Sequence, residues 1–285
     1  MAQESGDLTL PRSGAAAGEG ALAQGAPEGK GRARRIGFPV GLILPVVIVS
    51  VWEILCRQGV FPPWQLPAPS YVFWTLVDLH TSGDLYYHSW ASIRRVLLGF
   101  AIGGGLGLVV GTLVGLFRWF ERIVDTTLQA IKSVPTLAWV PLLVLWFGIT
   151  ETSKLTLIAI GSFFPVYVNL VSGIRGVDRK LIEVGQTYNL SRPQLLRRII
   201  LPATVPSFFT GFRVGLTQAW LFMVIAELMA ASEGLGFLLT TGREVARPDL
   251  LLCSLVLLAI LGKVCDSIVR AIEHRLLLWR DTFNG

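Results

Sequence analysis

Cysteine, histidine and charge are all scarce in this sequence, and each shortage closes off a class of function. The chain of 285 residues holds three cysteines and three histidines. Cys56, Cys253 and Cys265 lie in or beside apolar stretches, with no CxxC pair and no histidine cluster nearby. Neither a disulfide framework nor a zinc site is therefore expected. His80, His88 and His274 are scattered and read as solvated loop or interface side chains. Charged residues make up 15% of the chain, against roughly 25% in a soluble domain. No GxxxxGKS/T run is present, so the loop that cradles nucleotide phosphates is missing and any ATP hydrolysis must come from a partner. No catalytic residue, metal ligand or cofactor site is expected.

Apolar residues fill the space that charge leaves. They make up 52% of the chain, the mean hydropathy is +0.59, and several runs approach the ~20 residues that cross a bilayer. The net charge of +6 is compatible with nucleic acid. The basic residues, however, sit beside the apolar runs, as cytoplasmic flanks of membrane spans do. The fold class is all-α, a polytopic membrane protein of about six spans. Their expected positions are Ile36–Cys56, Val96–Phe117, Thr126–Phe147, Leu155–Ile174, Ser207–Ala230 and Leu250–Ala271. Residues 1–35, rich in Ala, Gly and Glu, read as a disordered tail ending in KGRARR. A cleaved signal peptide does not fit, because the first apolar run starts late, is long and lacks a small-x-small cleavage site. The membrane domain spans 36–275, and 276–285 forms a short C-terminal tail.

Lys and Arg set the orientation. Lys30, Arg32, Arg34, Arg35, Arg118, Arg122, Arg175, Arg179, Lys180, Arg192, Arg197, Arg198, Arg275 and Arg280 flank one side. The other side holds only Arg57, Arg94, Arg95, Lys154, Arg243 and Arg247. Both termini are therefore expected in the cytoplasm, and so is the loop over 176–202.

The second span carries Gly99, Gly103, Gly107, Gly111 and Gly115 at a four-residue repeat. That spacing draws one bare stripe along a helix, and bare stripes let helices approach closely in lipid. Packing inside the bundle or at a dimer seam is expected. The GxG pattern of Gly103–Gly105 lacks the strand-then-helix context of a phosphate loop.

Between the fourth and fifth spans lies EVGQTYNLSRPQLLRRIILP, Glu183 to Pro202, too polar for lipid. Asp178 can cap a first short helix, which places Leu181, Val184 and Tyr188 on one face. Asn189 tolerates the left-handed backbone that ends a helix. Ser191-Arg192-Pro193-Gln194 fits a capping box with proline in the first turn. Leu195, Leu196, Ile199 and Ile200 form the second apolar face, and Pro202 is expected to break the pattern. A merely solvated loop needs neither caps nor apolar faces, and a DNA-reading helix-turn-helix does not fit a tether to the bilayer at both ends. We expect a stiff cytoplasmic helix-turn-helix.

This island resembles the EAA loop of permease subunits in ABC importers, E-A-A, three residues, G, nine residues, I-x-L-P. Glu183 stands at the Glu place, Val184 and Gly185 replace the alanines, Asn189 replaces the glycine, and Ile199, Leu201 and Pro202 match. Gly185 for alanine weakens the helix by about 1 kcal/mol. From about residue 40 the chain is similar to the aliphatic-sulfonate permeases and their nitrate, taurine and bicarbonate relatives. The similarity runs through KSVPTLAWVPLLVLWFGI (132–149), ITETSK (149–154), SFFPVYVNLVSGIRGVDRKLIE (162–183) and VIAELMAASEGLGFLL (224–239). RWFERIVDTTLQ (118–129) and LGKVCD (261–266) look closest to the sulfonate branch.

The resemblance implies a type I ABC importer permease in the bacterial inner membrane. It implies a separate ABC ATPase subunit and a periplasmic substrate-binding protein as partners. With no second copy of the span pattern in the chain, a homodimer is expected. The island is then a coupling helix seated in a groove of the ATPase, with Glu183 as a polar contact and Leu181, Val184, Tyr188 and Leu190 as groove packing. Gly185, Asn189, Leu201 and Pro202 shape it.

Charges inside the spans form a last group. Glu227 in the fifth span, and Lys263 with Asp266 in the sixth, are costly in lipid unless paired or facing a cavity. Lys263 and Asp266, at i and i+3, can neutralise each other; the other reading is a role in gating or the anion path. A sulfonate requires Arg, Lys or helix N-termini near the midplane, and Arg213 reads as too near the cytoplasmic end. Pro135 and Pro141 either kink the third span or break it and expose backbone to a pore. A membrane-embedded enzyme would need clustered His, Asp or Ser at membrane depth, and no expected span contains histidine. A stand-alone channel or secondary transporter would leave the capped island without a purpose.

Overall fold

The computed structural model describes residues 43–277. The expected N-terminal tail, the first residues of the first span and all but the start of the C-terminal tail lie outside the described residues. From Pro45 on, the described residues form one compact unit.

Helices account for nearly all of it. The first is α1 (Ile43–Arg57), followed by α2 (Pro69–Ser82) and α3 (Asp84–Leu116). Gly83, at φ 87°, ends α2 and starts α3 in one residue. Next come α4 (Arg118–Ser133), a 3₁₀ turn at Thr136–Ala138, α5 (Trp139–Phe147) and α6 (Glu151–Arg175). Then follow α7 (Arg179–Thr187), α8 (Arg192–Leu195), a π turn at Leu196–Ile200, α9 (Leu201–Ala230), α10 (Leu235–Glu244) and α11 (Pro248–Leu276).

Among the described residues α3, α6, the continuous rod from Arg192 to Met229, and α11 are each long and apolar enough to cross a membrane. The third expected span is instead a broken pair: α4 and the α5 segment meet at a bend of 81°. Pro135 makes the break, since its neighbour Val134 is extended as a residue before proline must be. Pro141 sits in the first turn of α5, where its missing N–H costs nothing. α2 and α10 were not expected; both are short helices flanking the spans. α1 is described for 15 residues, none of them buried, and Glu53 ties it to the start of α2 by accepting from the Ser70 N–H at 3.0 Å and hydroxyl at 2.8 Å.

The glycine stripe settles the centre of the bundle. A Cβ on Gly99 would lie 2.5 Å from Ile158 Cγ2, one on Gly107 2.7 Å from the Phe163 carbonyl oxygen, and one on Gly115 2.6 Å from Ile174 Cδ1. Gly103 faces Ala159 and Ser162, and Gly111 faces Tyr167 and Leu170. Every step of the stripe therefore meets α6, so it is an intrachain seam. On its other side α6 brings Gly161 against Phe222 and Gly173 against Ser207, while Gly211 and Gly215 of α9 return the approach. α6 is thus gripped between α3 and α9 at backbone-to-side-chain distance, the packing that replaces hydrophobic drive in lipid. Val96, Phe100, Leu157, Ile158, Phe222 and Met223 fill the gaps between these three helices.

Candidate functional site

The island is built as its residues dictate. The Asp178 carboxylate accepts the Lys180 N–H at 2.9 Å, capping α7. At its other end the Leu190 N–H donates to the Gly185 carbonyl at 3.0 Å and the Asn189 N–H to that of Gln186 at 2.8 Å. Asn189 takes φ 53°. This doubly bonded left-handed stop satisfies the carbonyls that a helix end leaves free. Across the turn, the Ser191 N–H donates to Gln194 Oε1 at 2.9 Å, starting α8.

Gly185 has a further reason to be glycine. It is the buried residue of α7, and a Cβ there would come 2.5 Å from Leu195 Cδ1 and 2.6 Å from Ile199 Cδ1. The propensity cost of glycine is offset by letting α7 lie directly on α8 and the π turn. Leu190 joins that internal packing and is half-buried. Leu181, Val184 and Tyr188, by contrast, are 47%, 52% and 78% exposed, a row of apolar side chains that none of the described residues covers. Glu183 is exposed beside them, and its carboxylate has no partner among the described residues.

Pro202 does not break the chain as expected. The π turn carries the helix past it, with the Leu201 N–H reaching back to the Leu196 carbonyl. Arg192 to Met229 is consequently one helix of 38 residues, about 57 Å long at the usual rise. Leu201 and Pro202 are exposed on its N-terminal third.

The C-terminal end of that rod carries Glu227, which is buried with its partner Arg95. Arg95 was expected in an outer loop. Because α3 starts at Asp84, it lies inside the helix instead, 1% exposed. Its Nη1 donates to Glu227 Oε1 at 2.8 Å and to the Glu233 carbonyl at 2.7 Å. Nε and Nη2 form a fork on Glu151, both at 2.8 Å, and Nη2 also reaches Glu233 Oε1 at 3.0 Å. Ser92 donates to Glu227, and the Gly236 N–H donates to Glu227 Oε2 at 2.8 Å. Lys154 adds a second cation on Glu151 at 2.8 Å. One guanidinium therefore ties α3, α6, α9 and the 231–234 loop together, with every donor position matched to an oxygen. Gly234, at φ 117°, sits so close that a side chain would strike the Glu227 carboxylate.

The pair expected at Lys263 and Asp266 is not formed. Asp266 Oδ1 accepts from Arg213 Nε and Nη2, both at 3.1 Å, and its Oδ2 from Arg270 at 3.3 Å. A guanidinium on the neighbouring helix, held by two bonds, outcompetes a flexible ammonium on the same helix. Lys263 is exposed with no ion-pair partner among the described residues.

The comparisons agree with this architecture. The family model described as "Binding-protein-dependent transport system inner membrane component" matches residues 103–278. A Bacillus subtilis (strain 168) protein named for aliphatic sulfonates transport, the permease SsuC, is 42% identical over 252 residues, 88% of this chain and 91% of its own length. Its namesake from Escherichia coli (strain K12) is 41% identical over 85% of this chain and 92% of its own length. The taurine transport system permease protein TauC of Escherichia coli (strain K12) is 33% identical over 86% of this chain and 90% of its own length. In fold the chain is similar to a solved structure of the MetNI methionine ABC transporter, with TM-score 0.52 and 17% identity over 64% of this chain and 93% of that one. The chain belongs to the family of binding-protein-dependent transport system inner membrane components.

Proposed function

We propose that this chain is the permease subunit of an ABC importer for aliphatic sulfonates. It works as a homodimer in the bacterial inner membrane with both termini in the cytoplasm. A separate ATPase docks on the loop over 176–202, and a periplasmic binding protein delivers the substrate. The observation that carries this reading is α7: capped at both ends, propped from below through Gly185, with Leu181, Val184 and Tyr188 left exposed in a row. A surface of that kind is stiff enough to transmit force and apolar enough to seat in a partner's groove.

The rod supplies the linkage. α8, the π turn and α9 form one helix, with the island at its inner end and Glu227 near its outer end. Nucleotide-driven approach of the two ATPases moves the docked islands together. Each island turns its rod, and the rod draws Glu227 away from Arg95. With that clasp made, α3, α6 and α9 are tied shut on the outer side; with it parted, the path opens to the binding protein. The break at Pro135 turns α4 from α5 by 81°, an irregular backbone of the kind a membrane protein keeps beside buried protein or an aqueous path.

For the substrate, the sulfonate-named relatives stand at 42% and 41% identity and the taurine-named one at 33%. The deciding experiment is uptake of labelled ethanesulfonate, taurine and nitrate by the chain reconstituted with its ATPase and binding protein. Ethanesulfonate moving fastest supports the assignment, and nitrate or taurine moving faster overturns it. In the same assembly Glu183→Lys is expected to leave ATP hydrolysis running while uptake falls at least tenfold. Unchanged uptake in that variant would remove the docking role.

A further inference from the structure

We infer that the cleft between α9 and α11 is an anion-binding site at mid-membrane, with Lys263 as its cation and a sulfonate headgroup as its ligand. The inference rests on the importer reading above and adds to it the place where the substrate pauses.

Depth is the first argument. Arg213 lies about 18 Å along α9 from Leu201, and Lys263 about 22 Å along α11 from Pro248. Each is therefore near the middle of its helix, deeper than the sequence alone indicated for Arg213. The two line one cleft of about 290 Å³ together with Thr217, Trp220 and Asp266, over an apolar floor of Leu216 and Leu258.

The hydrogen-bond balance is the second. Both oxygens of Asp266 are taken, by Arg213 and Arg270, and Glu273 is engaged by Arg213 at 3.5 Å. Three cations, Arg213, Lys263 and Arg270, thus face two carboxylates, leaving an excess of one positive charge. Among the described residues Lys263 finds no carboxylate, and the buried indole Nε1 of Trp220 has no nitrogen or oxygen acceptor and rests beside the Cys265 sulfur. The Thr217 hydroxyl is spent on the Arg213 carbonyl at 3.0 Å. Among the described residues, cations outnumber carboxylates around the cleft by one. An ammonium at this depth is retained only where it meets water or an anion. A sulfonate brings one negative charge and three acceptor oxygens, and its alkyl chain suits the Leu216 and Leu258 floor. Lipid phosphates stay at the headgroup level, some 15 Å from the midplane of a ~30 Å hydrocarbon core, which points to a transported anion.

The test is a charge series in the complete importer reconstituted in proteoliposomes, read as labelled ethanesulfonate uptake. Lys263→Gln and Lys263→Met are each expected to lower uptake at least tenfold, while Lys263→Arg keeps it within about threefold. Trp220→Phe, which removes the N–H and keeps the ring, is expected to raise half-saturation two- to fivefold. Three results would overturn the site: wild-type uptake in Lys263→Gln, a loss in Lys263→Arg as deep as in Lys263→Gln, or dissociation of the dimer in Lys263→Gln, which would assign the lysine to an ion pair between copies. A wild-type importer that carries nitrate and not ethanesulfonate sinks the sulfonate reading alone. The same Lys263 series run with nitrate then decides the site.

Discussion

The two ends of the rod from Arg192 to Met229 solve opposite problems. At the C-terminal end Glu227 is buried and bonded on both oxygens, and Arg95 has no donor to spare. Against the N-terminal end, on α7, Glu183 is exposed, without a partner among the described residues, beside three exposed apolar side chains. A joint closed within one chain hides and matches its charges; a joint awaiting a partner leaves charge and apolar area open. The contrast predicts where substitutions damage the fold and where they damage only the traffic between subunits.

Arg95→Ala is the largest expected effect. It strands Glu227 without its cation, and breaking a buried pair from one side costs about 3–5 kcal/mol. Thermal unfolding of the purified permease in detergent checks this; a loss under about 1 kcal/mol would show the clasp to be solvated and slack. Next comes Gly107→Leu, whose side chain would run into the Phe163 carbonyl and wedge α3 from α6. Overpacking of that kind costs about 1–3 kcal/mol, and unchanged assembly would mean that α3 and α6 separate freely. A smaller loss, about 1 kcal/mol, is expected from Asn189→Val, because a β-branched residue resists the left-handed backbone; Asn189→Gly should be neutral. Smallest for the fold, within about 0.5 kcal/mol as for other surface changes, is Glu183→Lys, although its expected effect on uptake is large. If Glu183→Lys unfolds the protein while Arg95→Ala does not, the comparison fails.

Legibility in the sequence follows the same division. The island was readable because its signals are local: a capping Asp178, a left-handed Asn189 and a capping box at Ser191 lie within one short stretch. The glycine stripe was readable as a period, though only the structure shows that α6 is what it meets. The clasp was not readable. Arg95 stands just before an apolar run, and Glu151 and Glu233 lie outside the expected spans, so a hydropathy window discards all three. Only the solitary Glu227 signalled that a cation had to lie somewhere near. Likewise the i, i+3 spacing of Lys263 and Asp266 suggested a local pair, while Arg213, 53 residues away in the chain, takes the carboxylate. Pro202 misled because a π turn is not written in residue type.

The central claim is that the exposed face of α7 is the cytosolic seat of a motor subunit. Val184→Cys, in a chain with Cys56, Cys253 and Cys265 replaced by serine, tests it most directly, by labelling with a membrane-impermeant maleimide in oriented vesicles. We predict rapid labelling from the cytosolic side alone, slowed at least tenfold when the ATPase subunit is bound. Labelling from the outer side, or a rate that the ATPase leaves unchanged, would contradict it.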